Sequence, residues 1–287
     1  DDAFHYAQNP GGALRCFAAW SLWLLGRPDE GLSEMQEALI LARRLSEPHG
    51  LAHALFFAAT LHQLRRESQP AQTHAEAAIA LSQEHGLVLY EAMAAVILGW
   101  ALYQLGHHEN AIEKMRQGLA SLQATGAEVL VPHFMTLLAQ ALHEEQQTRQ
   151  AIHILRQARV MAERNGEQYY LAEIHRVQGE ALLLQTQTHS ALPESNPVVP
   201  FGVDAQINVR KAESSLHQAL EVARRQKARS LELRAAMSLA RLQQDPVKRE
   251  EALGLVEKIY GGFTEALHTT DLHEAKALIT KRSGQAH

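Results

Sequence analysis

Seventeen histidines are scattered through the 287 residues, and they are the first candidates for chemistry. His49 and His53 stand four apart, and His107-His108 are adjacent. A metal site needs three or four ligands converging in space. No cysteine or carboxylate cluster completes such a set here, so these residues read as polar helix and loop surface. Cys16 is the one cysteine. It reads as a buried or groove-lining thiol. It excludes an intrachain disulfide and suits a reducing, cytoplasmic compartment. Arg224, Arg225, Lys227, Arg229 and Arg234 form a basic cluster that could meet an acidic partner or nucleic acid. Glu221 and Glu232 are interspersed, which favours a solvated face with local ion pairs. No Gly-Lys-Ser/Thr, G-x-S-x-G or H-E-x-x-H occurs, so phosphate-loop, serine-hydrolase and zincin chemistry have no motif to rest on. No cofactor is implied.

The elements that hold these residues follow from a period. Residues 90–126 read as a helix, a Gly-bearing turn, a second helix and a Gly stop. Gly99 on the first helix and Ala111 on the second lie twelve apart. Steps of 40 from Gly99 reach Ala59 and Ala19 backwards, and Ala139 and Gly179 forwards. The same steps from Ala111 reach Ala71, Gly31 and Ala151, and a further small series runs Ala38, Ala78, Gly118, Ala158 and Ala219. Gly86, Gly126 and Gly166 end helices at the same interval. Such self-similarity is the signature of stacked helical repeats. A small residue at a crossing lets two backbones approach closely.

The period predicts one domain, 1–287, an all-α α-solenoid of about six helix pairs. The pairs fall near 13–45, 51–85, 90–124, 130–164, 168–227 and 229–260. Asn9-Pro10-Gly11-Gly12 reads as a turn before the first helix. The fifth pair carries 21 extra residues at about 186–206, with Pro193, Pro197 and Pro200, which reads as a long surface loop. A capping helix within 263–281 should cover the last repeat. Apolar residues are 46% and aromatics 6%, a profile for helices and not for a sheet. Net charge is −5, which disfavours nucleic acid as a partner of the whole chain. No apolar run approaches a membrane span. The chain opens on Asp1-Asp2 without Met and is expected to be a piece of a longer polypeptide.

The small–x11–small pattern, with a small residue again seven on (Gly99, Ala111, Gly118), resembles the tetratricopeptide repeat. The period here exceeds that family's usual 34 residues, and its repeat-ending Pro is mostly missing. The stretches AEIHRVQGEALLL (172–184), ALEVARRQKARSLELRAAMSLARL (219–242) and YGGFTEALHTTDLHEAKALI (260–279) resemble the C-terminal repeats of large bacterial signalling proteins. In those, cyclase-like or kinase-like modules and an AAA-type ATPase precede the repeats. Lys227 departs from that pattern, which usually has Gly there. The resemblance implies a right-handed superhelix acting as a non-catalytic scaffold or sensor arm. Its first helices line a concave groove, with binding positions at −6, −3, +1, +4 and +5 from the small residue. Those offsets select an aromatic half, Trp20, Trp23, Phe56, Met93, Trp100 and Tyr103, and a polar half, His133, Gln140, Glu173, Arg176, Arg234 and Arg241. The implied partner is a protein, a peptide or another domain of the same polypeptide. Packing of these aromatics between neighbouring first helices, and pairing of Arg176 with Glu173 or Glu180, are the competing structural readings. Sensing of a nucleotide or metabolite in the groove, and self-association through an end face, are the alternatives in function.

Overall fold

Alanine and glycine at the crossing positions leave the helices nothing to hold them apart, and every such position is buried. A computed structural model describes residues 10–190, 201–265 and 267–284. Helix α1 (Pro10–Leu24) pairs with α2 (Pro28–Leu45), α3 (Pro48–Leu64) with α4 (Ser68–His85), and α5 (Val88–Gln104) with α6 (His108–Ala124). Helix α7 (Val131–Glu144) pairs with α8 (Thr148–Asn165), α9 (Leu171–Ser190) with α10 (Phe201–Gln226), and α11 (Arg229–Leu242) with α12 (Pro246–Tyr260). Helix α13 (Thr270–Gly284) follows. No strand occurs among the described residues. The architecture is an all-α stack of helix pairs, an α-solenoid.

Two compact units result. One holds α1–α6 with the segment Thr264–Thr270, and the other holds α7–α12 with α13 from Asp271 onward. In the first unit α1 touches α3 and α3 touches α5, so the first helices form a continuous layer. The second helices do not touch one another among the described residues; α2 bridges to α3 and α4 to α5. The second unit repeats the scheme, with α7, α9 and α11 in the layer and α8 and α10 bridging. Position in the stack sets composition. The layer helices are buried on most sides: α3 is buried continuously from Ala52 to Leu64. The outer helices bury one stripe, as α6 does with Ala111, Met115, Gly118, Leu119 and Leu122.

The crossing points fall where the period puts them. A Cβ on Gly99 would sit 2.6 Å from Met115 Cγ and 2.8 Å from the Ala111 carbonyl oxygen. One on Gly31 would meet the Ala19 carbonyl at 2.7 Å, and one on Gly179 the Ala212 carbonyl at 3.1 Å. Gly118 approaches the Ala92 carbonyl in the same way, at 2.9 Å.

Left-handed backbone also recurs at 40 residues. The helix-ending position is taken by Ser46 (φ 53°), Gly86 (67°), Gly126 (76°), Gly166 (74°) and, after the 21-residue insert, Lys227 (57°). The turn inside each pair is taken by Gly26 (85°), Arg66 (61°), Gly106 (90°) and Gln146 (60°). The last pair turns differently. Asp245 caps α12 by accepting from the backbone N–H groups of Val247 and Lys248 at 2.9 and 3.0 Å, with Pro246 in the first turn.

Two expectations are corrected. Helix α1 covers Pro10–Leu24, so Gly11 and Gly12 lie inside it and not in a preceding turn. The insert is less loop than its prolines suggest. Helix α9 runs on to Ser190 and α10 starts back at Phe201. Gln185-Thr-Gln-Thr-His-Ser190 carries no Pro or Gly to stop a helix, and all three prolines fall within 191–200, outside the described residues. The final helix does cover the last repeat: Leu272 and Ala275 are buried, and Asp271 pairs with Arg234 of α11 at 2.7 Å.

Gly99→Ala should therefore cost about 1–3 kcal/mol, the usual range for overpacking. Lys227→Gly should add about 0.5–1 kcal/mol, because left-handed backbone penalises any side chain while glycine loses more entropy on folding. Urea unfolding of the two variants beside the parent chain reads both signs.

Candidate functional site

The aromatic positions pack against their own neighbours. Trp20 is 7% exposed and stacks on Phe57, with ring centroids 4.1 Å apart. Its indole N–H donates to the Phe57 carbonyl at 3.0 Å. Phe56 meets Trp20 edge-on. Trp23, Met93, Trp100 and Tyr103 are buried as well, and Tyr103 tilts over His108 at 4.4 Å. Trp20 and Phe56 join α1 to α3, Tyr103 meets α6, and all six side chains are buried, so the structure favours packing over an open aromatic wall in the first unit.

A spacing of 37 residues explains why. Trp20 reaches Phe57, His53 faces Tyr90, His133 faces Tyr170 and Arg234 reaches Asp271, each 37 residues on. In two of these pairs a −6 histidine meets the residue at or just before the start of the next first helix, Tyr90 for α5 and Tyr170 for α9. At that position His53 and His133 are buried by their successors and do not line an open surface.

The polar half is different, and the structure brings much of it together. Glu173, 2% exposed, accepts two hydrogen bonds from the Arg176 guanidinium, at 2.9 Å from Nε and 2.8 Å from Nη2. Arg176 Nη1 lies 2.6 Å from Glu180 and donates to Ser238 Oγ at 3.3 Å. Ser238 in turn donates to Glu180 at 2.7 Å. Arg234 stands 3.8 Å from Glu173 and donates from Nε to Asp271 at 2.8 Å. One network thus ties α9, α11 and α13. Nearby carboxylates raise both arginines further above their ordinary pKa, against the effect of burial. Such pairs offset their desolvation only when geometry is good and every remaining polar group is satisfied. Ser238 and Asp271 were not among the residues the offsets selected. Ser238 lies between two offset positions, and Asp271 belongs to the cap, outside the repeat register.

His133 sits beside this network, fully buried. Burial pushes its pKa down to about 3, partly countered by Glu173. Its Nδ1 is 2.7 Å from the Tyr169 hydroxyl. Burial drives the Tyr169 pKa well up, so the phenol keeps its proton and donates to a neutral imidazole. Each carboxylate named here faces a guanidinium, and this histidine nitrogen is occupied. What the arrangement can do is fix helix register. Gln140, Glu180 and Arg241, the +1 positions of the second unit, remain partly or fully exposed. Arg241 pairs with Glu274 at 2.6 Å. The equivalent +1 positions of the first unit, Trp20, Thr60 and Trp100, are buried.

Cys16 is completely buried and its thiol is pushed up to about 12 by burial, which keeps it protonated. The basic cluster divides. Arg224 pairs with Glu232 at 2.8 Å, as interspersed charge implied, whereas Arg234 turns inward to the network. No helix among the described residues is long and apolar enough to cross a membrane.

No family model matches the chain. It is 25% identical over 159 residues to an uncharacterized protein of Rhizobium meliloti (strain 1021), a match covering 55% of this chain and 15% of that protein. Among solved structures it is similar to a circular tandem repeat protein with novel repeat topology and enhanced subunit contact surfaces. The identity is 14% and the TM-score 0.30, over 96% of this chain and 74% of that one. The fold therefore rests on the helix contacts themselves.

Asp271→Ala should destabilise the chain by about 3–5 kcal/mol, since it leaves Arg234 buried beside a lost partner. Arg234→Met combined with Asp271→Leu should recover most of that loss; an equal loss in the double variant would deny the pair its role. The buried imidazoles set a pH trend as well. His133 (about 3) and His53 (about 4) stay neutral in the folded chain while the unfolded chain takes up protons near 6.5. Stability is then full above about pH 6.5 and falls as pH drops below it, by up to about 1.4 kcal/mol per pH unit for each imidazole. Melting curves of His133→Gln should show a shallower fall between about pH 6 and 4.5 than the parent chain.

Proposed function

We propose that this chain is a non-catalytic interaction or scaffold module of a larger bacterial signalling protein. The observation that carries the reading is the open +1 row of the second unit, Gln140, Glu180 and Arg241, on three first helices that touch in sequence. Stacked repeats present equivalent positions side by side, which suits an extended segment better than a reacting centre. The row is polar and partly charged. A protein segment or a neighbouring domain of the same polypeptide would meet it through hydrogen bonds and complementary charge, which gives specificity more than raw affinity. The match to only 15% of a longer relative supports a place within a larger polypeptide.

A photo-crosslinking residue placed singly at Gln140 or Arg241 in the full-length protein tests this. Adducts to one defined segment are expected from both positions. Controls belong at the exposed Arg156 and His217 of the outer helices α8 and α10. Adducts from the controls alone would move recognition off the first-helix layer and sink the reading.

A further inference from the structure

Basic residues that the inner network leaves unused meet at the junction of α10, α11 and α12. Arg224 ends α10, Arg229 starts α11 and Lys258 lies in the last turn of α12. Together with Glu232, Leu255, Ile259 and Gly262 they line a cleft of about 340 Å³. Three cations face one carboxylate, and that carboxylate is already held by Arg224 at 2.8 Å. Arg229 donates through Nη1 to the Gly262 carbonyl at 2.5 Å, which fixes the guanidinium at the cleft wall. Gly262 makes room for it: a Cβ there would lie 3.1 Å from both Cζ and Nη1 of Arg229. Helix α11 opens beside the cleft at Arg229 with no side-chain cap, so its first N–H groups add positive potential at that end.

We propose that this cleft binds a small phosphate-bearing anion. A fixed guanidinium, a second guanidinium and an ammonium around a half-open cleft suit a compact doubly charged group. The volume, about 340 Å³, lies at the small end of the range for small-ligand sites and is ample for a phosphate or diphosphate group. Two of the three cations come from the cluster that is contiguous in sequence, and the third comes from α12. The site is independent of the +1 row, since Gln140, Glu180 and Arg241 are not among its lining residues.

Calorimetric titration of the whole chain with inorganic pyrophosphate tests it. Saturable binding with a dissociation constant at or below about 1 mM is expected near neutral pH, weakening as salt rises. Lys258→Ala should weaken it about tenfold, and Arg229→Ala at least as much. Glu232→Gln should tighten it, because it removes the one competing charge. Arg249→Ala, an exposed cation of α12 outside the cleft, should leave it unchanged. Lys258 is exposed, so its variant keeps the fold, and circular dichroism checks this. No saturable heat up to about 10 mM, or equal binding by Lys258→Ala, would overturn the proposal.

Discussion

Everything in this chain depends on how closely two backbones can approach where paired helices cross. At Gly99 the facing carbonyl of Ala111 occupies the space a side chain would need. At Gly31 and Gly179 the facing carbonyls of Ala19 and Ala212 do the same. Close approach matters because dispersion falls off steeply with separation and because a void between helices forfeits contact on both sides. The residue type at the crossing therefore sets the interaxial distance, and the distance sets which neighbouring side chains can interlock. The larger side chains of the pairs, Met115 against Gly99 and Leu216 against Gly179, fill the depressions that the glycines leave.

From that constraint the division of labour among helices follows. First helices touch their partner, the preceding outer helix and the first helices on either side within each unit. They are consequently apolar on most faces, and α3 and α5 carry little periodic signal. Outer helices have one buried stripe, and their polar faces can carry ion pairs such as Arg159 with Glu163 at 3.1 Å. Such exposed pairs contribute little, so outer faces are free to vary in charge. The charges of the inner layer are not free in that way. Glu173, Arg234 and Asp271 are tolerated at nearly complete burial because each finds its counterpart from another helix or another turn.

The fold was legible because its signal is redundant. Ala19, Ala59, Gly99, Ala139 and Gly179 all report one crossing, and Gly86, Gly126 and Gly166 all report one helix end. Ser46 and Lys227 break the glycine series, yet the backbone keeps the same left-handed turn there, because the stack dictates the conformation and the side chain endures it. The site was less legible. The groove offsets belong to a 34-residue repeat, and here each pair has six residues more. Three added residues lengthen a helix by roughly 4.5 Å, nearly a turn. Tyr90 at the start of α5 covers His53, and Tyr170, just before α9, covers His133. Asp271 was invisible for another reason: it comes from the cap, where no period points to it.

The two units use the same register row in opposite ways, and solvation explains the difference. Trp20, Thr60 and Trp100 can be sealed, since an indole loses nothing by leaving water when its N–H finds a carbonyl, as Trp20 does at Phe57. Glu180 and Arg241 cannot be sealed on those terms. Glu180 has Arg176 and Ser238, Arg241 has Glu274, and sealing the remaining exposed part of either charge would need further partners to offset its cost. They stay at the surface for the same reason that Glu173 can leave it. With the amide of Gln140 they form a polar row that keeps exposed surface, where the equivalent row of the first unit is buried.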